Sequence, residues 1–222
     1  MNDLERRRAA AASAAAELRT IADLLASTDP DVTALEHVRE RAAEARAVLE
    51  TGAVRPSGWL PVIDGVHIGD RHYNPAIGTA NPASPVLDIV TSPGTAACDF
   101  TLSRRFEGPP GFVHGGIAGL VMDEILGRAA LSDGGWGMTV YLNLTYLTGL
   151  PIDTPLRATG EIENQQGRKT FVRGRIATQA DPDRTCVEAE ALFVHPNPDV
   201  FDQYFGHLRD GEGQPLQLDL RG

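Results

Sequence analysis

Asp123 is the residue out of place in this chain. It follows Leu120, Val121 and Met122 and precedes Ile125 and Leu126 with only Glu124 between. A carboxylate in such surroundings is costly unless it is paired or hydrogen-bonded. Glu124 points about 100° further round a helix and is placed for an exposed edge. Asp123 has two structural readings, a partly exposed helix-end acid or a buried pair with Arg128. It also has a chemical one: apolar surroundings raise a carboxyl pKa and suit it to general-base work near neutrality. A second feature opens the same run, Val113-His114-Gly115-Gly116. Two glycines entering a helix leave backbone N–H groups unobstructed. The positive helix end then suits a developing negative oxygen. The plain alternative is a tight turn with a structural histidine. Asp123 lies eight residues after Gly115, about 12 Å along a helix at 1.5 Å per residue. One chain cannot put both on one reacting atom. An antiparallel pair of copies can, one helix start facing the other's Asp123.

These residues need elements to hold them. The run from Gly115 to about Leu131 is apolar nearly all round, which marks a buried helix. Strand patterns are expected at 86–90 and 96–106 before it, and at 137–148, 155–165, 169–179 and 185–195 after it. The separators are turn-type: Glu107–Gly111, Gly134-Gly135, Gly149–Thr154, Gln166–Arg168 and Ala180–Arg184. The class is α+β, a curved antiparallel sheet wrapped around one central helix over residues 86–196. Residues 1–52 read as a helical hairpin. Its first stripe is Leu18, Ile21, Leu24 and Leu25; its second runs Val32, Leu35, Val38, Ala42, Ala45, Val48 and Leu49. The break has Asp29 as cap and Pro30 at the first helical position, and Gly52 stops the second helix. The hairpin is expected to pack on its own domain or on a neighbouring subunit. Residues 53–85 form an irregular, Gly- and Pro-rich connection, and 197–222 a tail.

Composition excludes several classes. The net charge is −10, with 30 acidic and 20 basic residues, against a nucleic-acid partner. A local cation cluster can still hold an anionic ligand. Cys98 and Cys186 lie far apart without metal-ligand spacing, which suggests reduced, buried thiols and a cytoplasmic location. No segment approaches the roughly 20 apolar residues of a membrane helix. The HExxH, GxSxG and Walker patterns are all missing from the sequence.

Gly108-Pro109-Pro110-Gly111-Phe112-Val113-His114-Gly115-Gly116, then Asp123, resembles the PaaI-type hotdog thioesterases. The likeness extends over about 71–195, with Gly78-Thr79-Ala80-Asn81-Pro82, Thr139 to Tyr146, and Gly167-Arg168-Lys169. It implies the hotdog fold and hydrolysis of an acyl-CoA, with coenzyme A as part of the substrate and no further cofactor or metal. It implies that Gly115 donates its N–H to the thioester carbonyl oxygen and that the partner subunit's Asp123 attacks the carbonyl or activates water. Thr139 would position that water or carboxylate, and His114 would hold the loop or the thioester. Gly116, Asn81, Arg168 and Lys169 are the candidate substrate-binding residues, with Arg173, Arg175 and the Arg104-Arg105 pair as further candidates for CoA phosphates. Met122, Met138, Tyr141, Leu142 and Tyr146 are available to line an acyl pocket. Some relatives carry Asn or Gln six residues before the histidine. Gly108 stands there, leaving that role unfilled or taken by Glu107. The expected assembly is a homodimer or a tetramer built from dimers. The alternative function is a non-catalytic acyl-CoA-binding regulator, since a fold does not fix a function.

Overall fold

The computed structural model describes residues 1–64, 71–134 and 137–216. Parts of three expected segments lie outside the described residues: 65–70 of the connection, Gly135 of the turn, and 217–222 of the tail.

Helix α3 runs Gly115–Leu131, and Val121, Met122, Ile125, Leu126 and Ala129 on it are fully buried. Six antiparallel strands surround it: β1 (Val90–Ser92), β2 (Thr95–Phe100), β3 (Met138–Tyr146), β4 (Leu156–Gln166), β5 (Lys169–Thr178) and β6 (Asp181–Val194). Their order is β1-β2-β4-β5-β6-β3. This is the hotdog arrangement, with α3 as the filling. It packs this closely because the row beneath it is small: Gly160 pairs with Gly174, and Gly174 with Ala189. A Cβ at Gly174 would meet Met122 Cε and Leu126 Cδ2, each at 2.8 Å, and the Thr159 carbonyl oxygen. The sequence alternation places Ala158, Val172, Ile176, Val187 and Ala191 in the core under the helix. Among the described residues strand β3 is an edge, paired only with β6, and no residue on it is fully buried.

Three strand expectations change, the last being that β6 begins at Asp181 rather than at 185 and takes in most of the expected turn. The first strand begins at Val90 rather than at 86, because Val86 has φ 57°. A β-branched residue seldom adopts that left-handed backbone. The turn is held by the buried Ser84, whose Oγ accepts the Val86 N–H at 2.9 Å. The second strand ends at Phe100, and Arg104–Phe106 form a 3-10 turn. Arg105 draws the chain off the sheet, donating to the Pro82 and Ser84 carbonyls at 3.0 and 3.1 Å. Its guanidinium stacks on Phe106 and faces Asp23 at 3.1 Å.

Helices α1 (Asp3–Ser27) and α2 (Val32–Glu50) form at the N-terminus. α1 opens on a capping box between Asn2 and Glu5. The α2 cap is Asp31, whose side chain accepts the Ala34 N–H, so Asp29 and Pro30 precede the cap. A helix start is set by where a side chain reaches the second or third N–H, and Asp31 reaches it. α1 docks through its Arg8, Ala15, Arg19 and Asp23 side. Arg8 donates to the Ile63 carbonyl, Arg19 to the Thr79 and Asn81 carbonyls, and Ser103 Oγ to Asp23 at 2.6 Å. Nothing on α2 is buried, and its Leu49 is 75 % exposed. Beyond β6, helix α4 (Pro198–Phe205) leads to a tail that pairs with the first connection, Leu60 N–H donating to the Arg209 carbonyl at 2.8 Å. No helix among the described residues is long and apolar enough to cross a membrane.

Candidate active site

α3 and β3 run antiparallel, and the site residues lie at the two ends of that pair. At one end Thr139 Oγ1 donates to Asp123 Oδ1 at 3.0 Å. A β-bulge makes this contact. Thr139 pairs with Phe193 and Tyr141 with Leu192, leaving Val140 as the extra residue. The insertion resets the two-residue alternation. Thr139 therefore shares the helix-facing side with Leu144, which lies over Gly119, and Tyr146, which lies over Gly115.

Among the described residues Thr139 is the one hydrogen-bond partner of Asp123, and no cation is paired with it. Arg128 is taken by Glu124, Nε to Oε1 at 2.8 Å. Glu124 Oε2 in turn accepts from Asn74 Nδ2 at 3.1 Å. Burial pushes the Asp123 carboxyl above its ordinary value; the Thr139 hydroxyl opposes that and the Glu124 charge adds to it. A carboxyl held this way is a stronger base than a solvated one.

At the other end, His114 caps α3. Its Nδ1 accepts the Gly116 N–H at 3.0 Å, which requires the neutral ring with its proton on Nε2. The His114 carbonyl accepts the Ile117 and Ala118 N–H groups. Of the first helical N–H groups, Gly115's alone has no partner among the described residues, and it sits at the positive end of the helix. Tyr146 Oη donates to the Gly115 carbonyl at 2.7 Å.

The other candidates separate by what they touch. The Gly116 N–H is engaged by His114. Asn81 braces its own loop: Nδ2 donates to the Tyr73 carbonyl, and Oδ1 accepts the Ala83 N–H. Glu107 holds the turn through the Gly111 N–H at 2.6 Å. A Cβ at Gly108 would stand 2.8 Å from His114 Cα, so this loop has no place for a longer side chain there. Arg168 donates to the His195 carbonyl at 3.0 Å, and Lys169 pairs with Val194 in the row that includes Met138. Both lie at the Asp123 end of the sheet, two strands or about 10 Å across from β3. Arg173 is bonded to Glu161 at 2.9 Å, and Arg175 stands opposite Glu188. They belong to a charged ladder on the face away from α3, where Arg173, Arg175, Glu161 and Glu188 line a depression of 1130 Å³ that Asp123, Thr139, His114 and Gly115 do not reach. Arg104 faces Asp153 at 3.8 Å. Met122 is fully buried under the helix, while Met138, Tyr141 and Tyr146 are exposed on β3.

Three contributors had no sequence signal of their own: the Val140 bulge, Asn74 as the partner of Glu124, and Tyr146 as the partner of Gly115.

Comparison with known proteins agrees with this architecture. The Thioesterase superfamily profile matches residues 110–185. A thioesterase superfamily protein of known crystal structure is 32% identical, with a TM-score of 0.72, over 83% of this chain and 90% of that one. That share exceeds everything after residue 52, so the likeness reaches into the N-terminal helices. The acyl-coenzyme A thioesterase THEM4 of Mus musculus is 36% identical over 95 residues, 43% of this chain and 40% of that protein. The acyl-coenzyme A thioesterase THEM5 of Homo sapiens is 27% identical over 99 residues, 45% of this chain and 40% of that protein. The chain thus spans about two fifths of the length of these curated relatives.

Proposed function

The chain belongs to the thioesterase superfamily, and from that premise we propose that it hydrolyses an acyl-CoA thioester to a free acid and CoA, at a site shared by two copies. The observation that carries this reading is Asp123: a half-buried carboxylate whose pKa burial raises, with one hydroxyl partner and no counter-cation among the described residues. The structural alternative for Asp123, a pair with Arg128, is not made, because Arg128 lies one turn from Glu124 and is taken by it.

The open edge of β3 supports the two-copy site. An exposed edge strand is a template for pairing. Antiparallel pairing of two β3 edges sets the Thr139 end of one beside the Tyr146 end of the other. That brings one copy's Asp123 toward its partner's Gly115 and removes the separation of about 12 Å within a chain. The substrate carbonyl oxygen accepts the Gly115 N–H, and the helix end stabilises the oxyanion. Asp123 attacks the carbonyl carbon or takes a proton from the attacking water, with Thr139 holding Oδ1. When water attacks, the C–S bond breaks, the thiolate leaves with the proton Asp123 took from water, and the oxygen of water ends in the acid. When Asp123 attacks, C–S cleavage leaves an acyl–Asp anhydride that water then hydrolyses, freeing the acid and Asp123 and supplying the thiolate's proton. Arg168 and Lys169 reach the CoA phosphates from the same end of the sheet, and His114 acts by fixing the helix start. Neither a metal nor a further cofactor is needed for this route, and its setting is the cytoplasm.

Free-thiol release from a panel of acyl-CoAs tests the reading, wild type beside Asp123→Ala and Asp123→Asn. Turnover by wild type and a loss of about 100-fold or more in folded variants is expected. An acyl-CoA that raises the melting temperature without being cleaved would instead favour a binding protein.

A further inference from the structure

We infer that Tyr146 is a positioning residue, holding through the Gly115 carbonyl the peptide group that aims the Gly115 N–H; the inference rests on the hydrolase reading above. Two adjacent glycines give the first turn of α3 unusual backbone freedom, yet an oxyanion donor works only if its direction is fixed beforehand. The peptide joining Gly115 to Gly116 is held from both sides. Its N–H is taken by His114 Nδ1 at 3.0 Å, and its carbonyl receives the Tyr146 hydroxyl at 2.7 Å. Rotation of that peptide would turn the Gly115 Cα and swing its N–H, and the two side chains block that rotation in both senses.

Several observations make the tyrosine contact specific. The Gly115 carbonyl already faces the helical N–H one turn on, so the hydroxyl uses its second lone pair. A Cβ at Gly115 would stand 3.2 Å from Tyr146 Oη and 3.3 Å from Cζ, so the ring lies directly against the glycine. Tyr146 is 52 % exposed. A half-exposed ring contributes little to the core, which sets its hydroxyl apart from a satisfied buried one. It ends the edge strand whose other end carries Thr139, so β3 holds the acid with one hydroxyl and the peptide next to the donor N–H with another.

Tyr146→Phe keeps the ring and removes only the hydroxyl. With the full chain and a cleaved acyl-CoA, kcat is expected to fall about 10-fold, in the range that small misplacements cost, with KM within about twofold. The acid limb of the pH profile is expected to stay where Asp123 sets it, and the melting temperature to stay near wild type. An unchanged kcat overturns the inference. So does a rise in KM alone, which would make Tyr146 a substrate contact, or a moved acid limb, which would make it act through Asp123. If wild type cleaves no thioester, the hydrolase reading fails by itself. Amide hydrogen exchange at Gly115 and Gly116 then decides the clamp: faster exchange in Tyr146→Phe supports it, and identical exchange overturns it.

Discussion

The two ends of the α3–β3 pair are built alike and treat opposite chemical needs. At one end a Thr139 hydroxyl donates to the Asp123 carboxylate; at the other a Tyr146 hydroxyl donates to the Gly115 carbonyl. The first contact touches the charged group and changes its energy. The second touches the neighbouring peptide, across the Gly115 Cα from the N–H, and changes only direction. An acid must be tuned, since burial alone raises it; a backbone N–H has nothing to tune and must be aimed. The difference teaches that one edge strand can supply electrostatics at one end and geometry at the other.

The largest test of this contrast is Asp123→Asn, which removes the tuned group and keeps its shape. Its kcat is expected to drop about 100-fold or more in a thiol-release assay, and an active variant would dissolve the acid end altogether. Next is Gly115→Ala, whose Cβ presses on Tyr146 at 3.2 Å. A loss in kcat of about 10-fold is expected. Gly119→Ala, on the same helix face, meets only Leu144 at 3.9 Å and is expected to lose far less. Equal losses would mean that this face tolerates no methyl anywhere, and the aiming argument would fall.

Thr139→Val sharpens the acid end. The hydroxyl favours the ionised carboxylate, so its removal lets burial raise the Asp123 pKa further. The acid limb of kcat/KM then moves to higher pH, while Tyr146→Phe leaves it in place. The smallest effect is on stability. The folded-state pKa of Asp123 lies above its unfolded value, so the native state holds the proton more tightly. Stability therefore falls as pH rises through the interval between those two values. Asp123→Asn removes that penalty and is expected to melt above wild type at neutral pH, with the gain vanishing below the ordinary carboxylate range. A melting curve at each pH checks it.

Much of this was legible in the sequence because it rests on local pattern. The all-round apolar run gives α3 from Gly115 to Leu131, and turn residues mark the ends of β4 and β5. Asp123 stands out by contrast with its neighbours alone. What was not legible depends on register between distant strands. Thr139 meets Asp123 only because Val140 bulges, and no residue type announces a bulge. Tyr146 reads equally well as pocket lining until its hydroxyl is seen against Gly115. The Glu124–Arg128 pair and Asn74 settle which acid is neutralised, and that choice rests on a loop fifty residues upstream. Asn81 and Glu107 carry the right chemistry for a ligand and hold loop backbone instead, as loop polar residues often do.

Gly160 and Gly174 give α3 its seat on the sheet, and the seat fixes how far the two proposed site residues, Asp123 and Gly115, protrude. The helix behaves as a rigid lever resting on that spot, with Asp123 and the Gly115 N–H carried on it. A single methyl at Gly174 would strike Met122 and Leu126 from below and lift the whole lever, moving acid and donor together. A survey of variants scored by turnover would then record Gly174 as essential to the chemistry, although it faces the underside of the helix and approaches no reacting atom.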